Sequence, residues 1–298
     1  MKTGLLGYPI DHSLSPAIHT AAYKALGLDW HYSLYPCPDN GAFETVLGQV
    51  LKDPGSYVGL NVTTPYKAAA FKACSDHSSD AHIIESANVI TVSGLQASGH
   101  AYLKGDNTDG YGLITSLEQE ARMRMCDAAV VLCGTGSVAM AALLALLRKQ
   151  AARVTVVGRD AQIAKGRVNA LLERLASERK SAPPSLNVID YGDIAQSLAD
   201  ADVLIDATTL GMKPADEAVV PIDLLRPGLV VYDVVYGHGE TALVKGARQI
   251  GARAYGGVGM LVEQAARTIE IWAAELELEL KAPRGLMLET AYTELLRM

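Results

Sequence analysis

Four short stretches hold residue types whose spacing suits chemistry. The sharpest is Gly134-x-Gly136-x-x-Ala139, which follows the apolar run Val130, Val131 and Leu132 without a spacer. That order reads as a buried strand, a glycine turn and a helix. Gly134 permits the tight turn, Gly136 lets the backbone approach a pyrophosphate, and Ala139 keeps the helix close to the sheet. The free amides of the helix start would meet phosphate charge. The chemistry implied is dinucleotide binding. The next unit supports it, since Arg153 to Asp160 is another apolar strand whose end, Arg159 and Asp160, is charged where a ribose would lie.

The other three stretches precede it. In Thr64-Pro65-Tyr66-Lys67 a lysine falls in the first turn of a helix, where the positive dipole end makes it electrostatically misplaced. It is therefore either a proton-exchanging group or a solvated surface lysine. Asp109 lies in Gly105-Asp-Asn-Thr-Asp109-Gly-Tyr-Gly112, a polar loop bracketed by glycines, and precedes a helix from Tyr111 to Glu120. It reads as a site carboxylate or an ordinary N-cap. Ser15 is expected to cap a helix that has Pro16 at its first position, with Ser13 just outside. Both hydroxyls either face an anion or only cap and turn.

The elements that must hold these loops divide into two sets. About 127 residues precede the dinucleotide unit, enough for a separate domain. Strands at Thr3–Gly7, His31–Pro36 and 58–63 alternate with amphipathic helices, which implies a mostly parallel sheet. A strand at 86–92 and a turn at Gly94 lead back to Gly105. In the second half, the pattern gives a helix from Asp160 to Arg179, strands near 186–190, 202–207 and 229–234, and helices at 193–198 and 241–250. Thr208 to Met212 sits at a strand's C-terminal end, where open α/β sheets place ligands. A helix over Leu261–Glu275 and another over Leu286–Met298 complete the chain. The expected fold is a two-domain α/β architecture: residues 1–112 as a mostly parallel substrate-binding and catalytic domain, 113–256 as a Rossmann-like domain, and 257–298 as C-terminal helices returning to the first domain.

Composition bounds the class. The chain has 298 residues, 49% hydrophobic, with a formal net charge of −7 and no basic run, which opposes nonspecific binding to nucleic acid or an anionic membrane. Its longest apolar run, Val138 to Leu147, is too short to span a bilayer. Cys37, Cys74, Cys126 and Cys133 have no metal-like spacing, and His12 and His19 do not form a recognised ligand pair, so no metal is expected. A cytoplasmic enzyme with reduced thiols, a small-molecule substrate and a monomeric or homodimeric state is the expectation.

Together these loops resemble the shikimate dehydrogenase family over nearly the whole chain and in the family's order. The signatures are Gly7-x-Pro-x-x-His-Ser13-Leu-Ser15-Pro16, Gly59-x-Asn-Val-Thr63-x-Pro65-x-Lys67 and Gly105-Asp-Asn-Thr-Asp109-Gly. Ala207-Thr-Thr-x-Gly-Met212, Asp233-Val-Val-Tyr236 and Gly259-Met-Leu-x-x-Gln264 follow. The resemblance implies NADP-linked reduction of 3-dehydroshikimate to shikimate, a step toward aromatic amino acids. It implies Lys67 and Asp109 as the acid–base pair, Ser13 and Ser15 on the substrate carboxylate, and Thr63, Asn88, Tyr236 and Gln264 on the ring. The implied cofactor set is Gly134, Gly136, Ser137, Ala139, Arg159, Asp160, Thr208, Met212, Val234 and Gly257. The end of the second cofactor strand departs from the family's usual Asn-Arg-Thr: Arg159 can pair a 2′-phosphate, whereas Asp160 repels it or accepts from the free hydroxyls of NAD. NADP is the expected cofactor and NAD the alternative. Quinate or aminoshikimate dehydrogenases, and a dinucleotide-binding sensor without activity, are the competing readings.

Overall fold

The computed structural model describes residues 1–94, 101–178, 184–237 and 239–297. Three expected features, the turn beyond Gly94, the helix end at Arg179 and the terminal Met298, lie outside the described residues. The chain divides into two compact units, one of Met1–Thr108 with Leu261–Met298 and one of Asp109–Met260.

In the first unit, β1 (Lys2–Gly7), α1 (Ser15–Leu26), β2 (His31–Pro36), α2 (Asn40–Lys52), β3 (Gly59–Val62), α3 (Lys67–Ala73), β4 (Asp76–His77), α4 (Ser79–Ile84), β5 (Val89–Ser93) and β6 (Tyr102–Asp106) form a sheet of order β2-β1-β3-β5-β6-β4 with its helices. The βαβ alternation gives the parallel pairs β1–β2 and β1–β3. Strand β5 runs antiparallel to both neighbours, so the sheet is mixed rather than uniformly parallel. One face packs on α2 and α3, where Phe43 stacks on Tyr66 with centroids 4.9 Å apart. Trp272, fully buried, donates from Nε1 to the Ile90 carbonyl at 3.1 Å. It packs so closely on Gly59 that a methyl group there would overlap both the indole and the Ile90 oxygen.

The second unit contains α5 (Asp109–Ala121), β7 (Ala129–Cys133), α6 (Ser137–Arg148), β8 (Arg153–Gly158), α7 (Ala161–Leu175), β9 (Ser185–Asp190), α8 (Ile194–Ala199), β10 (Val203–Asp206), β11 (Val230–Asp233), α9 (Ala242–Gln249) and β12 (Arg253–Tyr255). Its six strands are all parallel, in the order β12-β11-β10-β7-β8-β9. Counted from β7, this is the dinucleotide-binding order, with the direction of winding reversing between β7 and β10. The first unit ends at Thr108 rather than Gly112 because α5 packs as a whole on α6: a side chain at Gly110 would strike the Ala141 carbonyl.

Two helices follow, α10 (Val258–Glu275) and α11 (Arg284–Leu295). From Leu261 onward they belong to the first unit. Arg284 fastens α11 to α10 through Glu263 at 2.8 Å and Glu270 at 2.6 Å. Among the described residues no helix is long and apolar enough to cross a membrane.

Candidate active site

In the second unit, the end of β7 makes the turn that the glycine spacing demands. Gly134 has φ +110°, and a methyl group there would stand 2.8 Å from the Ala207 carbonyl oxygen, so only glycine fits. Nothing lies within 4 Å of the position a side chain would take at Gly136, leaving the backbone open to a ligand. Helix α6 starts after Gly136 with no side-chain cap and no acidic residue in its first turn, so its positive end faces outward uncompensated. Half-buried Ser137 opens the helix, and Ala139, fully buried, sets its distance from the sheet.

A cleft of about 700 Å³ opens between the ends of β7 and β10. Gly134, Gly136, Arg159, Asp160 and Thr208, all expected from the sequence, line it. The volume and the uncapped helix start fit a dinucleotide. Of the other expected cofactor residues, Met212 is exposed outside the lining, while Gly257 packs directly on the Val234 carbonyl and serves close backbone approach. Thr135, Tyr191 and Arg167 line the cleft and were not expected. Arg167 lies four residues beyond Ile163, which also lines the cleft from the first turn of α7, and that helical spacing was the available signal.

Two buried carboxylates sit under this rim. Burial, followed by the charge of Asp233, pushes Asp206 up to about 7; Asp233 is also raised by burial, against hydrogen bonds from Thr241 and the Val235 N–H. The Asp206 Oδ1 accepts from the Thr208 N–H at 2.9 Å, which ties the cleft wall to the sheet.

In the first unit, polar groups from three sequence-distant segments meet at Asn88. Its Oδ1 accepts from the Thr108 N–H at 2.8 Å, and its Nδ2 donates to Thr108 Oγ1 at 3.0 Å and Gln264 Oε1 at 3.4 Å. Asn61, on β3, reinforces the arrangement by donating to the Asn88 carbonyl and to Thr268 Oγ1, each at 3.3 Å. The Asn107 Nδ2 donates to the Ser86 carbonyl at 2.8 Å, pinning the polar loop that was read as a site or an elaborate turn. Lys67 is the first residue of α3, and its carbonyl accepts from the Ala87 N–H at 3.0 Å. Thr63 closes the preceding turn, its carbonyl accepting from the Tyr66 N–H at 3.0 Å.

Two local expectations need correction. Ser15 is not the cap of α1 but its first helical residue; the cap position is Leu14, already helical at φ −78° and ψ −10°. The Ser13 Oγ instead accepts from the Ser15 N–H at 3.2 Å. Asp109 does not precede its helix. It opens α5 and is buried, because the helix begins two residues earlier than the glycines suggested. Of the residues expected on substrate, Ser13, Ser15, Thr63, Asn88 and Gln264 lie in the first unit and Tyr236 in the second. His19 is fully buried, with Nδ1 bonded to the Tyr23 hydroxyl at 3.1 Å and its ring stacked on Tyr32, and burial lowers it to about 3.

Comparison with known proteins assigns both halves. The model of the shikimate dehydrogenase substrate-binding domain matches residues 5–90, and that of shikimate/quinate 5-dehydrogenase matches residues 116–214. The shikimate dehydrogenase (NADP(+)) of Methanopyrus kandleri is 34% identical over 274 residues, 91% of this chain and 90% of that protein. A crystal structure of a shikimate dehydrogenase in complex with NADP+ superposes with a TM-score of 0.84 at 28% identity, covering 99% of this chain and 95% of that one. Quinate dehydrogenase from Corynebacterium glutamicum, solved with NAD, gives a TM-score of 0.82 at 27% identity, covering 98% and 99%. With a glycine turn, a cleft at the switch of winding and an asparagine-centred polar cradle falling in the matched order, the chain belongs to the shikimate dehydrogenase family.

Proposed function

We propose that this chain is an NADP-linked shikimate dehydrogenase that interconverts 3-dehydroshikimate and shikimate, with Lys67 and Asp109 as its acid–base pair. The carrying observation is the Asn88 side chain, whose bonds to Thr108 and Gln264 order the residue before Asp109 together with helix α10. Bound NADPH would supply the hydride for reduction, and bound NADP+ would accept it in the reverse direction.

The protein's own groups manage the oxygen. Reduction of a ketone leaves alkoxide character, which the protonated Lys67 ammonium neutralises by giving up a proton, while the Asp109 carboxylate orients the amine. In the oxidative direction neutral Lys67 takes the hydroxyl proton. Ser13 and Ser15 hold the substrate carboxylate at the start of α1, a 12-residue helix with no acidic group in its first turn, where the dipole favours an anion. Thr63, Asn88, Tyr236 and Gln264 meet the ring hydroxyls. Gly134, Gly136, Ser137, Arg159 and Thr208 carry the cofactor, with Ala139, Val234 and Gly257 fixing the backbone around it and Met212 beside the nicotinamide. Asp160 acts through α7: its Oδ1 accepts from the Gln162 and Ile163 N–H groups at 2.8 and 3.0 Å, which commits that oxygen to the helix start. The reaction takes place in the cytoplasm, in keeping with four free cysteines, by a monomer or homodimer.

A spectrophotometric screen of shikimate, quinate and aminoshikimate against NADP+ and NAD+ tests the assignment. Shikimate with NADP+ should give the highest kcat/KM; a preference for quinate, or turnover of none of the three, would sink it.

A further inference from the structure

The cleft that receives the cofactor carries a cation with no assigned part. Arg167 stands on the second turn of α7, and its Nη1 donates to the Thr135 carbonyl at 2.6 Å, inside the glycine turn. The helix comes this close because Ala164 abuts the end of β8: a methyl group at Gly158 would lie 2.9 Å from the Ala164 Cβ. Side chains on a helix lean toward its N-terminus, so Arg167 reaches back past Ile163, one turn earlier, to the rim where Arg159 sits. Both arginines line the cleft, and among the described residues neither forms an ion pair. The neighbouring Asp160 forms no ion pair with either of them among the described residues and directs its Oδ1 to two backbone N–H donors at the helix start.

From this the geometry points to Arg167 as the second half of an arginine pair that, with Arg159, selects the 2′-phosphomonoester of NADP over the bare ribose of NAD. The inference rests on the NADP-linked reading above. A guanidinium has five N–H donors in a planar fork, so the bond to Thr135 fixes its plane and leaves donors for a phosphate. Ile163, exposed at the first turn, offers no polar group, and Arg167 supplies from the next turn what that position lacks.

The test is direct binding, without turnover. Wild type, Arg167→Gln and Arg167→Lys are titrated calorimetrically with NADP+, NAD+, 2′,5′-ADP and 5′-AMP. Wild type should prefer NADP+ and 2′,5′-ADP. Arg167→Gln should weaken those two by about tenfold to a hundredfold, the range for a charged hydrogen bond, while NAD+ and 5′-AMP shift by less than about threefold. Arg167→Lys, which keeps the charge and loses the fork, should fall between. Equal losses for all four ligands would overturn the inference and leave Arg167 as a latch for the Thr135 loop. Unchanged NADP+ binding by the glutamine variant, beside a wild type that prefers NADP+, would overturn the role of Arg167 alone. A wild type that binds NAD+ as tightly as NADP+ would overturn this inference and the NADP reading together.

Discussion

Asp206 and Asp233 are register partners at the ends of adjacent parallel strands, two carboxylates buried side by side at 1% exposure each. A hydrogen bond from Thr208 to one and from Thr241 to the other offsets part of their repulsion. The pair sits under the cleft wall, so its charge state bears on the stability of the cofactor-binding unit.

Asp206 has its proton affinity raised by folding, up to about 7. The stabilisation from its protonated form is complete below the ordinary aspartate range and is lost as pH rises through about 7. Asp206→Asn keeps a carbonyl for the Thr208 N–H and removes the titration. The stability difference, variant minus wild type, should therefore grow between pH 5 and 8 by on the order of 2–4 kcal/mol. Thermal melts of both proteins at each pH measure it, and a difference flat in pH would show that the pair is not protonated on folding.

Lys67→Ala should lower kcat by about 10²–10⁴-fold, the usual contribution of an acid–base group, with shikimate binding still measurable by calorimetry. Retention of more than about a tenth of kcat would contradict the role given to the amine.

Asn88→Ala removes its side-chain hydrogen bonds to Thr108 and Gln264. Since the buried Thr108 N–H loses its acceptor, the cost in stability should be about 1–3 kcal/mol, and kcat/KM should fall by more than stability accounts for. Urea unfolding beside steady-state kinetics separates the two. A variant with lowered stability and native kcat/KM would make Asn88 a purely structural residue.

Trp272→Phe leaves the Ile90 carbonyl without its indole donor and opens space over Gly59. A loss of about 1–3 kcal/mol is expected. Gly59→Ala attacks the same contact from the other side by overfilling it, at about 1–3 kcal/mol or more. The double variant should lose less than the sum of the two, because the smaller ring makes room for the methyl group. Denaturant midpoints of the three proteins decide this, and strict additivity would mean that the two sites do not share one contact.

The sequence spoke most clearly where a residue type has one physical use. The Gly134 turn needs a positive φ and close approach, and the spacing to Gly136 and Ala139 announced both. The alternation of strands and helices revealed the parallel sheet of the second unit. Strand β5 was harder, because a strand buried on both faces carries the same apolar pattern whichever way it runs; only its pairing to β3 and β6 sets the direction. The cap of α1 was misread because Leu14 adopts helical angles and shifts the start by one residue, a backbone choice that Ser-Leu-Ser-Pro does not dictate. Arg167 carries no local signal of its own, and only the turn of α7 sets it beside the glycine turn, one turn beyond Ile163. The Asn88 cradle joins segments 20 and 176 residues away, beyond any local pattern.

The first unit is interrupted in the chain by residues 109–260, and its core takes Trp272 from beyond that interruption. A ribosome therefore releases the whole of the cofactor-binding unit before the tryptophan that seals Gly59 and Ile90 exists. During synthesis the opening strands must wait with one face uncovered until helix α10 has emerged.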